Sequence, residues 1–174
     1  GVDISESQIT VATDLLAQND IEAKFMISSM ENDPGLPHDY FDVVYSIYGL
    51  GWTLDLKTTL SNISKYLKKD GIFIFSWDHP FMHCVDEENK QLLFTGNYHD
   101  EDVYSFIKEN SEFTLINRKF STYINSLYDS GFIVEKVIEE NRGSNGAEEF
   151  TSNYYSKVKS NHFPLSFILK ARKL

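Results

Sequence analysis

Asp3 is the first residue whose type and position could do chemistry. It ends the short apolar segment Gly1-Val2-Asp3-Ile4, which predicts the tail of a strand, and a capping box with Ser5 as N-cap then opens a helix. In open α/β sheets, ligands bind beyond the carboxyl ends of the strands. A carboxylate there can accept hydrogen bonds from both hydroxyls of a ribose. The alternative is an acid that only benefits from the positive end of the helix dipole.

Further candidates follow the later strands. Tyr48 and Trp52 come after the apolar run 41–47 and are placed to border a pocket. Packing at the strand–helix corner would explain both equally well. His79 follows the run 72–77 and should lie at the ligand end of the sheet, as a general base or a substrate-binding group. The alternative is a histidine that orders the loop.

Three neighbouring residues invite a metal interpretation, which we reject. The spacing of His79, His83 and Cys84 matches no complete zinc set, and the chain has no second cysteine. We therefore expect no metal. The single cysteine also excludes an internal disulfide and fits a reducing cytoplasm.

Strand and helix patterns alternate along the chain. Strands are predicted at 1–4, 23–28, 41–47, 72–77, 132–138 and 163–171, with helices after Ser5, after Thr53 and at 119–130. The near-continuous apolar run 41–47 is typical of a strand buried on both faces. Thr53 is the expected N-cap of the second helix. The segment Lys68-Lys69-Asp70-Gly71 is expected to form its basic last turn, with the glycine ending the helix. The alternation predicts a mostly parallel sheet with crossover helices.

The segment from Asp78 to Ile116 interrupts this alternation. It is long, polar and aromatic, with at least one short hairpin expected near 92–94 and 113–116. Long excursions inside compact domains are usually lids or binding loops. Three aromatic residues are expected to cap the substrate pocket: Tyr98, Tyr104 and Phe106. We see no internal repeat, so we interpret 1–174 as a single domain with a lid-like insertion at about 78–116, and 141–147 as a turn-rich loop.

The composition of the chain restricts the classes of molecule that it is expected to bind. The 174 residues carry a formal net charge of −10, which repels phosphate backbones and anionic lipid. We therefore expect neither nucleic-acid nor membrane binding. No apolar run approaches the roughly 20 residues that span a bilayer, and no signal peptide opens the chain. These features favour a cytoplasmic protein with a small-molecule ligand.

Three segments, taken in order and with their spacing, resemble the class I S-adenosylmethionine-dependent methyltransferases. They are Gly1 to Ile9, Tyr40 to Ser46 and Tyr66 to Phe75, and the closest resemblance is to the ubiquinone and menaquinone biosynthesis branch. The strands at 132–138 and 163–171 resemble that family's terminal antiparallel pair. The resemblance implies an α/β, Rossmann-like sheet with helices on both faces, S-adenosylmethionine as cofactor, and methyl transfer to a small molecule.

The resemblance also implies roles for individual residues. Asp3 would hold the ribose diol, and Ile4 would pack on one face of the adenine. Ser29 stands where the family usually has an Asp that binds the adenine amine. A weaker contact from the Ser29 hydroxyl, or one from the backbone, would then have to bind that amine. Met30 would cover the other adenine face, or else fill the core. Two more residues are expected near the methionine part of the cofactor: Ser46 and Ile47.

The same resemblance raises an expectation about the start of the chain. In the family, the first strand and its glycine-rich turn lie between the strands that end here at Asp3 and Ser46, and no such segment precedes Gly1. We expect this chain to lack that strand, to be impaired in cofactor binding, and to leave two strand edges unpaired. Unpaired edges recruit other chains. Loss of upstream residues, strand exchange or dimerisation, and a rearranged sheet with 1–4 shifted are the three expected outcomes.

Two other functions compete with methyl transfer. A nicotinamide dehydrogenase would also place an acid at the end of its second strand, but the Lys-Lys-Asp-Gly turn and the C-terminal strand pair argue against it. A degenerate methyltransferase-fold module would assemble with itself or bind a partner without catalysis. Such a module would lack cofactor affinity even with the upstream sequence restored.

Overall fold

The structure is a computed structural model that describes residues 1–108, 111–139 and 154–174. The predicted turn-rich loop 141–147 lies outside these residues. The strands are β1 (Val2–Asp3), β2 (Met26–Ile27), β3 (Phe41–Ile47), β4 (Leu67–Asp78), β5 (Val85–Glu88), β6 (Gln91–Phe94), β7 (Val103–Lys108), β8 (Ser111–Ile116), β9 (Phe132–Ile138) and β10 (Ser166–Lys173). The helices are α1 (Glu6–Ala17), α2 (Leu56–Tyr66), α3 (Phe120–Asp129) and α4 (Lys157–Ser160), with 3₁₀ turns at Leu50–Trp52 and Pro80–His83.

A four-stranded sheet forms the body of the molecule, in the order β3-β4-β10-β9. β3 and β4 run parallel, whereas β10 is antiparallel to both of its neighbours. The antiparallel strand pair predicted at the C-terminus is thus confirmed. β1 and β2 form a separate parallel pair.

The core lies between one face of this sheet and the helices α2 and α3. Each of the two helices buries one apolar face, which includes Leu60 of α2 and Leu127 of α3. Aromatic rings fill the sheet side, with Phe73 stacked on Phe75 at a centroid distance of 5.4 Å. Gly131, at φ 83°, ends α3, because a residue without a Cβ adopts the left-handed conformation with the least strain. No helix within the described ranges is long and apolar enough to cross a bilayer.

Both predicted limits of α2 are wrong. Asp55, not Thr53, is the N-cap, because its Oδ1 accepts the Thr58 N–H at 3.0 Å. At the other end the helix stops at Tyr66, and the Lys-Lys-Asp-Gly segment belongs to β4. The last carbonyls of α2 are satisfied by the chain that enters β3: the Asp39 and Tyr40 N–H groups donate to Lys65 O and Tyr66 O. A glycine stop is therefore not needed.

The insertion contains two hairpins, where at least one was expected. The segment near 92–94 pairs with β5, and the segment near 113–116 pairs with β7. Each segment finds its partner next to it in sequence. Asn89 and Lys90 both have positive φ, at 50° and 62°, which is the backbone of the tight turns that match strand twist.

β3 is not buried on both faces, contrary to the prediction. Val43, Tyr45 and Ile47 are 51, 72 and 63% exposed. Among the described residues β3 has β4 as its sole hydrogen-bonded neighbour, and β1 has only β2. Because no described strand pairs with the other edge of β3, its apolar side chains are left without cover there. The nearby helix α1 likewise has no buried residue.

Candidate functional site

The loops that follow β2 and β3 meet through one carboxylate that sequence reasoning missed. Glu31 Oε1 accepts the Thr53 hydroxyl at 2.6 Å and the Leu54 N–H at 2.9 Å, and Ser29 donates to the other oxygen. Burial alone would raise the pKa of Glu31, but these hydrogen bonds lower it to about 2. Glu31 therefore stays charged and brings the ends of β2 and β3 to one edge.

Asp3 lies at the carboxyl end of β1 and is exposed. Its Oδ1 accepts the Ser5 N–H at 2.8 Å, and Ser5 is the N-cap of α1 as predicted. Within the described residues, Oδ2 has no hydrogen-bond partner. Asp3 therefore orders the entry to α1 and still offers one oxygen to a ligand.

The three residues expected around an adenine ring lie near the ends of β1 and β2. Ile4 is 73% exposed. Ser29 and Met30 are half-buried, and the Met30 carbonyl accepts the Asn62 side-chain N–H at 3.4 Å. The Ser29 hydroxyl is already committed to Glu31, so a contact to a base would have to come from its backbone.

Ser46, Ile47 and Tyr48 mark the end of β3. Ser46 is half-buried, whereas Ile47 is 63% exposed. Tyr48 has φ 51°, an uncommon conformation for a residue with a Cβ, and its N–H donates to Ser76 O at 3.1 Å. Strained backbone of this kind clusters at ligand sites.

Trp52 stands in an aromatic cluster that joins the sheet to the insertion. Its ring meets Trp77 edge-on at 5.6 Å, and it also contacts Phe106 and Phe113 at 6.5 and 5.9 Å. Gly51 makes this possible, because a Cβ there would lie 1.7 Å from the Trp77 ring. Trp52 remains 39% exposed, so part of an aromatic face is open beside Tyr48.

His79 is buried, and both of its ring nitrogens are engaged. Nε2 lies 3.0 Å from Glu139 Oε1, and Nδ1 accepts the Phe81 N–H at 3.3 Å, so the proton sits on Nε2. The ring stacks on Phe81 at 5.5 Å and 12°. Burial lowers the pKa of His79, although the charge of Glu139 opposes this. These contacts suit a residue that orders the loop more than one that meets a substrate.

Asp78, one residue earlier, is a site candidate that sequence reasoning passed over. The Tyr155 and Tyr154 hydroxyls donate to its two oxygens at 2.7 and 3.1 Å. Burial raises the pKa of Asp78 despite these two hydrogen bonds. The end-of-strand rule that selected His79 applies equally to Asp78, but the two tyrosines lie more than 70 residues away in sequence.

The insertion residues take different positions. Tyr104 is exposed and stacks on Phe106, next to the Trp52 cluster. Tyr98 instead packs against Phe81, and its hydroxyl accepts the Phe120 N–H at 3.2 Å. In the part of the chain that the structure describes, no group of His, Cys, Asp and Glu is arranged to hold a metal.

Comparison with known proteins identifies the architecture. Residues 1–75 match the family described as a methyltransferase domain. An uncharacterized protein of Haemophilus influenzae is 26% identical, over the whole chain and 71% of that protein. An S-adenosylmethionine-dependent methyltransferase structure from Mesorhizobium loti covers 99% of the chain and 79% of its own, at 20% identity and a TM-score of 0.78. A second such structure, from Methanosarcina mazei, covers 100% of this chain and 81% of its own, at 15% identity and a TM-score of 0.70.

The chain has the fold of the class I methyltransferases. The predicted α/β, Rossmann-like class is confirmed by these likenesses, which extend over nearly all of the chain. The matched segment 1–75 includes every residue expected to contact a cofactor, from Asp3 to Ile47. In this methyltransferase fold, Tyr48 and Trp52 lie beyond the end of β3, and Asp78 is the last residue of β4.

Proposed function

We propose that the protein is an S-adenosylmethionine-dependent methyltransferase that acts on a small-molecule acceptor. The observation that carries this proposal is Asp3, an exposed carboxylate with one free oxygen at the end of β1, inside the segment that matches a methyltransferase domain. A ribose diol needs such an acceptor at the carboxyl end of a strand.

The described residues fit the adenosine part of that cofactor. Asp3 would accept the ribose hydroxyls through Oδ2, while Ile4 and Met30 offer apolar surface for the adenine. Ser46 and Ile47 would lie towards the methionine part. The cofactor supplies an activated methyl group on a sulfonium, so the protein's task is to fix distance and angle.

The acceptor side would be formed by residues after β3 and β4. The exposed parts of Tyr48 and Trp52 offer aromatic faces, which favour a positive charge such as a sulfonium. His79 would act as a positioning residue for this loop, because Glu139 and the Phe81 N–H occupy its nitrogens. A base is required only if the acceptor atom starts protonated.

The edge of β3 bears on how well the 174-residue chain binds the cofactor by itself. A strand paired with the free edge of β3 would extend the sheet beside Ser46 and cover exposed side chains of β3. We propose that this chain is impaired in cofactor binding, because that side of β3 is uncovered.

Exchange of Asp3 tests the site. In the full-length protein, Asp3→Asn should weaken S-adenosylhomocysteine binding by roughly 10- to 100-fold in calorimetry, because a hydrogen bond to a charged group is lost. Asp14→Asn removes the same charge from the exposed side of α1 and should bind like the native protein. Equal affinities for the two variants would contradict the ribose assignment.

The open edge of β3 supports a second candidate function. A module that only assembles with itself or a partner would use that edge, which carries exposed apolar side chains. This function predicts no affinity for S-adenosylmethionine at any chain length. Saturable binding by the full-length protein would exclude it.

A further inference from the structure

Asp78 is a half-buried carboxylate without a cationic partner among the described residues. It is the last residue of β4, which runs parallel to β3, and α/β sheets bind ligands at this end of their strands. Of the ion pairs between described residues, none includes Asp78. Lys159 of α4 lies 5.2 Å over the Tyr154 ring, but its ammonium has no hydrogen-bond partner within the described ranges. The negative charge of Asp78 is therefore available to a ligand.

Two phenols hold the Asp78 carboxylate in one orientation. The Tyr155 hydroxyl donates to Oδ1 at 2.7 Å, and the Tyr154 hydroxyl donates to Oδ2 at 3.1 Å. Burial raises the pKa of both tyrosines, so they stay protonated as donors at neutral pH. Each carboxylate oxygen has two lone pairs, so one hydrogen bond per oxygen leaves capacity for a further donor.

The surroundings of Asp78 are open to solvent and aromatic. Tyr154 is 42% exposed and Tyr48 is 41% exposed, and Asp78 itself is not fully buried. Tyr48 is fixed to the end of β4, because its N–H donates to Ser76 O at 3.1 Å and its ring lies 6.1 Å from that of Trp77. Aromatic faces and a carboxylate both attract a cation, so this edge favours a positively charged group over an anion.

We propose that Asp78 binds a protonated amino group of the methyl acceptor. An ammonium supplies N–H donors and one positive charge, which match the open lone pairs and the negative charge of Asp78. Because an ammonium has no lone pair, the methyl group would go to another atom of the same molecule. The assignment of this amine to a methyl acceptor rests on the proposed function, whereas binding of an amine by Asp78 does not.

Titration of the protein with benzylamine tests the site without the cofactor. Benzylamine is positively charged at neutral pH, whereas benzyl alcohol is neutral and benzoate is negative, and all three present the same ring. In calorimetry at constant ionic strength, benzylamine should bind saturably and at least about tenfold more tightly than the other two, since a hydrogen bond between charged groups forms.

A matched pair of variants locates the charge that is responsible. Asp78→Asn keeps the shape of the side chain but removes its charge, and should raise the dissociation constant for benzylamine about tenfold. Asp129→Asn removes the charge of an exposed residue that ends α3, just before β9 begins at the opposite edge of the sheet. It should bind benzylamine like the native protein.

Equal affinities of the native protein for benzylamine and benzyl alcohol would overturn the proposal, and this comparison requires no variant to fold. Benzylamine binding by Asp78→Asn as tight as that of the native protein would also overturn it. A crystal structure with benzylamine should place the nitrogen about 3 Å from an Asp78 oxygen, and a nitrogen bound elsewhere would count against the site. Cofactor binding without a preference for the amine would contradict this proposal alone. Amine binding without cofactor binding would contradict only the proposed function.

Discussion

Asp3 and Asp78 both stand near the end of a strand, and their hydrogen bonds give them different roles. Asp3 keeps a free oxygen in solvent, whereas Asp78 is enclosed by Tyr154 and Tyr155. The sequence predicted where Asp3 and His79 would lie, because strand ends can be read from apolar runs. It could not predict their partners, since Glu139 and Tyr154 come from segments 60 and 76 residues away.

His79 should reveal its structural role through pH. Its pKa in the folded state is lowered from 6.5, so the unfolded chain binds the proton more tightly and stability falls as the pH drops below about 6.5. His79→Gln should destabilise the protein by about 1–3 kcal/mol at pH 7.5. Denaturant unfolding should show this difference shrinking towards pH 5. A difference that grows on acidification would contradict the assignment.

Lys159 should be replaceable with a gain in stability. Its ammonium is fully buried, without a hydrogen-bond partner, 5.2 Å over the Tyr154 ring. Burial lowers the pKa of Lys159, so the native protein gains stability as the pH rises towards 10.5. Lys159→Met should stabilise by about 1 kcal/mol at pH 7 and by less at higher pH. Lys157→Met, exposed on the same helix, should change little.

At the scale of elements, periodicity located the helices and strands better than it located their ends. The buried faces of α2 and α3 were predictable because apolar spacing of three and four residues requires one face. The limits of α2 were not predictable. The Thr53 hydroxyl donates to Glu31 instead of capping the helix, and the chain before β3 satisfies the last carbonyls of α2. Such contacts between distant segments leave no local signal.

The turn Leu50–Trp52 should depend on the absence of a side chain at Gly51. Gly51→Ala forces a Cβ into the Trp77 ring, and overpacking of this kind costs about 1–3 kcal/mol. The near-UV circular dichroism should also change, because Trp52 and Trp77 are the chain's two tryptophans. Gly35→Ala meets no atom within 4 Å, so its backbone strain alone should leave that spectrum unchanged. An unchanged spectrum in Gly51→Ala would contradict the packing described.

At the scale of the whole molecule, the order of elements and the final antiparallel strand pair followed from the sequence. The exposure of β3 could not be predicted, because an apolar run does not show whether strands pair with both of its edges. In the structure β3 pairs with β4 and exposes Val43, Tyr45 and Ile47.

The open edge should make the 174-residue chain associate with itself. In sedimentation velocity, the native chain should show a sedimentation coefficient that rises with concentration. Tyr45→Lys places a charge on β3, a device that blocks strand pairing, and should keep the chain monomeric. Tyr128→Lys, equally exposed but on α3, should associate like the native chain. Identical behaviour of the two variants would exclude association through β3.

Direct cofactor binding by the protein in its full encoded length tests the central claim. Calorimetric titration with S-adenosylmethionine should give saturable one-to-one binding that S-adenosylhomocysteine competes away, and the same protein should not bind NAD. Preference for NAD, or no binding of S-adenosylmethionine, would contradict the account.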